Sequence, residues 1–221
     1  MSIKAINLCK HYSVGGSEVR ALDGVSLDIL SGEFVTITGV SGSGKSTLMN
    51  ILGCLDTPTS GTYLLDGNDV SQLDDRQLSS IRSQKIGFVF QSFNLVPTLT
   101  AQENVELPLM YRGVPKPQRR AAAAEALETV GLSDRARHRP SELSGGQQQR
   151  CAIARAIAAD PAIILADEPC GNLDSRNSSE VLDILGRLNR CGKTVVMITH
   201  DPHTAQRAQR LIRIADGHIV S

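Results

Sequence analysis

A chain of 221 residues with 41% hydrophobic side chains can bury one domain of generous size, or one domain with an inserted subdomain. Its 23 basic and 23 acidic side chains cancel, which argues against a polyanionic partner, so no nucleic acid is assigned. Five cysteines (Cys9, Cys54, Cys151, Cys170 and Cys191) are odd in number and form no C-x-x-C pair; neither a disulfide framework nor a zinc site follows from that spacing, and reduced thiols in a cytosolic protein are expected.

The first seven residues show no apolar h-region or cleavage pattern. The best candidate for a membrane span, residues 152–166, is interrupted by Arg155, Asp160 and Pro161, so the chain is expected neither to cross nor to enter a membrane. Residues 3–8 and 19–29 alternate apolar and polar as half-buried antiparallel strands do, with residues 13–16 as the turn. Tyr12, just before that turn, is either a strand-end aromatic or a ring stacked on an adenine base. Residues 33–38 read as a buried strand and residues 48–52 as a helix. Between them run Gly39, Val40, Ser41, Gly42, Ser43, Gly44, Lys45, Ser46 and Thr47. Strand, glycine-rich loop and helix are the setting that a G-x-x-x-x-G-K-[ST] phosphate loop requires. The glycines let backbone N–H groups close on a polyphosphate, and the helix N-terminus adds partial positive charge. Lys45 is expected to reach the β- and γ-phosphates and the Ser46 hydroxyl to ligate Mg2+. The chain is therefore expected to bind a nucleoside triphosphate.

Further on, residues 61–70 read as a hairpin turning at Asp66-Gly67, 74–83 as a short helix and 86–90 as a buried strand. From 91 to about 160 no strand pattern occurs. A capping box at Thr100 and Glu103 starts one helix, residues 117–131 form another, and residues 148–159 a third that Pro161 ends. This stretch reads as a helical subdomain inserted into the nucleotide core, whose own residues are 1–90 and 161–221. Residues 162–166 are a fully apolar strand, 175–190 a helix, 194–199 a strand, and 211–220 two strands around Asp216-Gly217. Strands alternating with helices after residue 160 imply a parallel sheet.

Asp167 and Glu168 end a buried strand, where carboxylates are costly without partners or work. In a phosphate-loop enzyme the first holds Mg2+ and the second polarises the attacking water. Gln91, at another strand end, either caps a loop or ligates Mg2+ and senses the γ-phosphate. His200 is either a core histidine or, at the C-terminal edge of a parallel strand, a hydrogen-bond partner of the γ-phosphate. Ser144, Gly145, Gly146 and Gln147 precede a helix and make a second anion-binding N-terminus. One triphosphate has little need of two such sites from one chain. A two-fold homodimer, with each nucleotide between one phosphate loop and the partner's Ser-Gly-Gly turn, accounts for both.

Taken in order, Gly39 to Thr47, Gln91, Leu143 to Gln147, Ile163 to Glu168 and His200 resemble the motifs of an ABC transporter ATPase subunit, over essentially the whole chain. The resemblance implies an α/β fold: a phosphate-loop ABC ATPase with a RecA-like core, an antiparallel β subdomain and an inserted α-helical subdomain. It puts Tyr12 at the adenine, Asp174 in a loop crossing the dimer interface, and Lys45, Gln91, Glu168 and His200 in catalysis of ATP hydrolysis. Residues 88–97, 103–109, 168–174 and 199–202 further resemble the MacB/LolD type, with Cys170 where that type usually has Thr. This implies an ATPase that powers a separate integral membrane permease of the MacB, LolC/LolE or FtsX kind, for export or extraction. Such a subunit sits at the cytoplasmic face of the membrane. The alternative within the resemblance is an FtsE-like regulator of cell-wall hydrolysis. The apolar stretch 93–109 is expected to form much of the groove that receives a permease helix.

Overall fold

The computed structural model describes residues 1–220, with only the backbone of Val14; Ser221 lies outside the described residues. In chain order the elements are β1 (Ile3–Val14), β2 (Ser17–Ile29), β3 (Phe34–Thr38), α1 (Lys45–Leu52), β4 (Ser60–Leu65), β5 (Asn68–Asp69), α2 (Asp75–Lys85) and β6 (Ile86–Phe90). Then follow α3 (Ala101–Tyr111), α4 (Lys116–Thr129), α5 (Gly145–Ile157), β7 (Ile163–Asp167), α6 (Ser175–Arg190), β8 (Thr194–Ile198), α7 (Pro202–Ala205), β9 (Arg210–Ala215) and β10 (His218–Ile219). They build an antiparallel sheet in the order β2-β1-β4-β5 and a six-stranded sheet in the order β10-β9-β3-β8-β7-β6. In the larger sheet β9, β3, β8, β7 and β6 run parallel, and only β10 turns back.

The strands of the parallel sheet are apolar on both faces because both faces are covered. Successive residues point to opposite sides. Ile163 and Leu165 of β7, with Val196 and Ile198 of β8, pack into a core shared with α1 and the antiparallel sheet. Ile164 and Ala166, with Val195 and Met197, pack into a second core shared with α3, α4, α5 and α6. The helices between residues 101 and 157 thus bury their apolar faces in a core continuous with one face of the sheet.

Among the differences from the sequence reading are two boundaries and one element. β1 runs on to Val14 rather than stopping near residue 8, because Asn7 (φ 49°) and irregular register between Ala5 and His11 break the alternation without breaking the pairing. α5 begins at Gly145, three residues early, since Ser144 and Gln147 form a capping box that draws both glycines into the first turn. The single turn α7 was not foreseen; it hangs on Asp201, whose carboxylate accepts from the N–H groups of His203 and Thr204. No helix among the described residues is long and apolar enough to cross a membrane.

Candidate active site

β3 delivers the chain into the glycine-rich loop at the C-terminal edge of the parallel sheet, where ligands gather in open α/β folds. Two glycines there are demanded by shape. A Cβ on Gly39 would strike the Ile214 carbonyl and the Ser43 hydroxyl. Gly44 has φ 102°, and a Cβ on it would strike the Ala21 carbonyl. Gly44 caps α1 with no side-chain partner for the first-turn amides, so those donors face outward for an anion. The Lys45 ammonium arches over the loop, donating to the carbonyls of Gly39 at 2.9 Å and Val40 at 2.7 Å.

Beside the loop lies a cleft of about 730 Å³, lined by the hairpin residues Val19, Arg20 and Ala21, by Val40 to Gly42 and Gly44 to Thr47, and by Asp167, Glu168, Ile198 and His200. Ser43 is buried beneath it. Burial, then the charge of neighbouring Glu168, pushes the Asp167 carboxyl above its ordinary range, with Lys45 opposing. Glu168 holds φ 44°, uncommon for a non-glycine residue and a mark of strain. It is secured there from several sides. Its N–H donates to Ile198 at 2.9 Å. Its carboxylate accepts from the Thr199 hydroxyl at 3.0 Å and the His200 N–H at 2.9 Å, and lies 2.7 Å from His200 Nδ1. The His200 ring itself is 73% exposed, standing out into the cleft.

Tyr12 lies near the loop through the Thr47 side chain. Its hydroxyl donates to Asp56 at 3.0 Å, and the Lys10 ammonium sits 5.2 Å from its ring centroid. Lys10 also pairs with Asp56 at 2.5 Å, fixing the tyrosine's stem. Burial, then the Asp56 hydrogen bond, raises the Tyr12 hydroxyl pKa.

The remaining candidates lie elsewhere. Ser144 and Gln147 bond to each other across the first turn of α5, and Gly146 abuts Asn177 so closely that a Cβ there would collide with its side chain. Gly145 faces Leu173 and Phe93. Asp174 caps α6 and accepts from Asn177 N–H and Nδ2, which, backbone bond first, hold its carboxyl below the usual range. Gln91, at the end of β6, donates to Asn172 Oδ1 at 3.1 Å and receives Asn172 Nδ2 on its carbonyl. None of these six residues lines the cleft. One chain therefore gathers the loop, Asp167, Glu168 and His200 around one cleft, and the Ser-Gly-Gly turn, Asp174 and Gln91 are not part of its lining.

Sequence reasoning missed two contributors, Thr199 and Arg20, and one contact of Asn172, a residue the resemblance puts with Asp174 in the loop crossing the dimer interface. Thr199 orients Glu168, and its only sequence signal is a hydroxyl next to His200 at a strand end. Asn172 pairs with Gln91 across 81 positions, a contact that no spacing rule reveals. Arg20 reaches the cleft from the far hairpin without any local motif.

Comparison with known proteins agrees with this geometry. Residues 22–171 match the family described as "ABC transporter". An uncharacterized ABC transporter ATP-binding protein of Thermotoga maritima is 54% identical over 217 residues, covering 98% of this chain and 93% of the relative. The macrolide export ATP-binding/permease protein MacB of Brucella abortus is 56% identical over 219 residues. The chain spans only 34% of that longer relative. Among solved structures, the dimeric ABC transporter cassette MJ0796 superposes with a TM-score of 0.91 at 50% identity, covering 99% of this chain and 97% of the cassette. The same cassette has been solved as a dimer in a post-hydrolysis state bound to ADP and Pi, at 49% identity.

Proposed function

This chain belongs to the ABC transporter family, as one of its ATP-binding, ATP-hydrolysing subunits, and on that premise we propose how its residues divide the work. The reaction is ATP + H2O to ADP and phosphate. The phosphates lie on the amides of residues 39–47, with Lys45 turning from the loop carbonyls to the β- and γ-oxygens. Tyr12 stacks on the adenine. Glu168 orients the attacking water and takes its proton. His200 Nδ1 donates to the Glu168 carboxylate, so Nε2 is the ring nitrogen left for the γ-phosphate, to which it donates when the ring carries both protons.

A divalent cation fits the cleft. Two adjacent carboxylates end β7 there, and burial, then the charge of Glu168, raises the Asp167 carboxyl. Ser46 and Asp167 would hold Mg2+, with Gln91 joining if it leaves Asn172. Mg2+ would supply charge neutralisation of the β- and γ-phosphates.

The observation that carries the assembly is the make-up of the cleft: Ser144, Gly145, Gly146, Gln147 and Asp174 do not line it. A two-fold pair lets them close over the partner's nucleotide, and the cassette relative solved as a dimer supports the reading. Glu168→Gln tests it. With ATP and Mg2+ this variant should accumulate as a dimer in size-exclusion chromatography, with turnover down at least about 100-fold. Turnover at the wild-type rate removes Glu168 from its role, and a variant that stays monomeric with bound ATP removes the sandwich.

The driven partner is a separate membrane permease of the MacB, LolC/LolE or FtsX kind, which would hold this subunit at the cytoplasmic face. The MacB relatives favour export over cell-wall regulation. A groove of about 410 Å³ beside β6, lined by Leu55, Phe88, Phe90, Asn94, Pro108 and Arg155 among others, suits a permease helix. Of residues 93–109, Asn94 and Pro108 line this groove, while Ala101, Val105 and Leu109 are buried.

A further inference from the structure

We propose that the β1–β2 hairpin carries a site for a zinc-type divalent cation, held by Cys9, His11 and Asp23. Nothing in nucleotide chemistry accounts for this trio. Their ligand atoms lie within 4.8 Å of one another, the only such group of His, Cys and acidic side chains among the described residues. The sequence conceals it, since Cys9 has no cysteine partner and Asp23 comes from the next strand. Folding creates it. Cys9 and His11 lie two apart on β1, whose register shifts at Lys10, and Asp23 follows Leu22, the residue paired with Lys10.

The surroundings suit a bound cation rather than a bare polar surface. His11 Nε2 is buried with no hydrogen-bond partner, and leaving a buried polar atom unpaired is costly. Its other nitrogen, Nδ1, lies 3.2 Å from Glu18 Oε1. A carboxylate this close to Nδ1 favours the tautomer that leaves the Nε2 lone pair free, as carboxylates do behind metal-binding histidines. The Gly24 N–H donates to Cys9 Sγ at 3.3 Å, a backbone contact that helps hold the sulfur in place. Gly24 has φ 70°, a conformation that favours glycine. Cys9 Sγ and Asp23 Oδ1 are 4.0 Å apart; the edge of a tetrahedral zinc site is about 3.5 Å from its bond lengths, so side-chain adjustment of about 1 Å closes the set. One sulfur, one imidazole nitrogen and one carboxylate oxygen select zinc or cobalt over magnesium or calcium, which take oxygen ligands. Water completes the fourth position, because His11 and Asp23 remain partly open to solvent.

The site is distinct from the nucleotide cleft but adjoins its rim. Arg20, which lines that cleft, also faces Asp23 at 3.7 Å and Glu18 at 3.2 Å.

The test is titration of Co2+ into the untagged, reduced, chelator-stripped full chain, without nucleotide. The expected result is saturation at one equivalent with a thiolate-to-cobalt charge-transfer band, and displacement by Zn2+. Cys9→Ser should abolish the band, while Cys191→Ser, which removes the exposed cysteine, should keep it. His11→Gln should weaken binding, and Glu18→Gln should lower affinity about tenfold without changing stoichiometry. Thermal unfolding of the wild type guards against a variant that fails to fold: saturating Zn2+ should raise its Tm. A band that survives Cys9→Ser, no saturable binding, or a Tm indifferent to Zn2+ overturns the site.

Discussion

Glu168 occupies a left-handed backbone position that a side-chain-bearing residue resists, and it remains there because Thr199, the His200 N–H and Ile198 hold it. Thr199 also accepts the Asp201 N–H at 3.1 Å, so one hydroxyl aims the Glu168 carboxylate and ties down the residue that caps α7. Thr199→Val keeps the shape and removes the oxygen. A hydrogen bond to a charged group contributes about 1.5–3 kcal/mol, so kcat should fall about 10- to 100-fold while ATP affinity stays within about twofold, measured by steady-state hydrolysis and nucleotide titration. Asp167 gives a second residue-level prediction. Its folded pKa is raised, so the native state binds more protons than the unfolded chain between the two pKa values. Its ionisation therefore disfavours folding at neutral pH, and that penalty vanishes below the unfolded carboxylate pKa. In metal-free, nucleotide-free protein, Asp167→Asn should raise Tm at pH 7, and the gain should disappear near about pH 4. The residues that line the cleft were legible where they sit at fixed steps along one strand–loop–helix unit, as Lys45 and Ser46 do. Thr199's role was not, because it depends on β7 and β8 lying side by side.

At the scale of elements, local rules worked best where a segment satisfies its own backbone. α6 was legible to the residue, because Asp174 caps it and its apolar positions recur at helical spacing. α5 was read three residues late because two glycines argue against helix, while the Ser144–Gln147 capping box overrules them. The irregular segment before α3 was beyond local rules. It is tied down by Asn104, wholly buried within α3, which donates to the carbonyls of Val96, Leu99 and Thr100 and accepts from the Val96 N–H at 2.7 Å. This amide replaces the regular pairing that residues 96–100 lack. Asn104→Ala leaves several backbone groups unpartnered in the interior. It should cost about 1–3 kcal/mol in urea unfolding, with faster hydrogen exchange in 96–100 and an undisturbed phosphate loop. Equal loosening of α1 would show that Asn104 serves the whole core instead.

For the whole molecule, the parallel sheet divides two apolar cores, and the Ser-Gly-Gly turn and Asp174 do not line their own chain's cleft. If the pair rather than the chain is the unit of hydrolysis, as proposed, the loop and the Ser-Gly-Gly turn are two edges that meet only across it. The two edges should then respond to ATP with different concentration laws. Binding to the loop is a one-chain event, so exchange protection of residues 39–47 should track ATP at any protein concentration. Protection of 144–147 and 172–174 needs a second chain, so at saturating ATP its midpoint should move with protein concentration. Hydrogen exchange on the Glu168→Gln variant over a dilution series separates the two. The hairpin tip at Gly15 and Gly16, with nothing packed against either position, serves as the reference that should not change. If both edges become protected together at every dilution, the coupling runs within one chain and the two half-sites need no partner to meet.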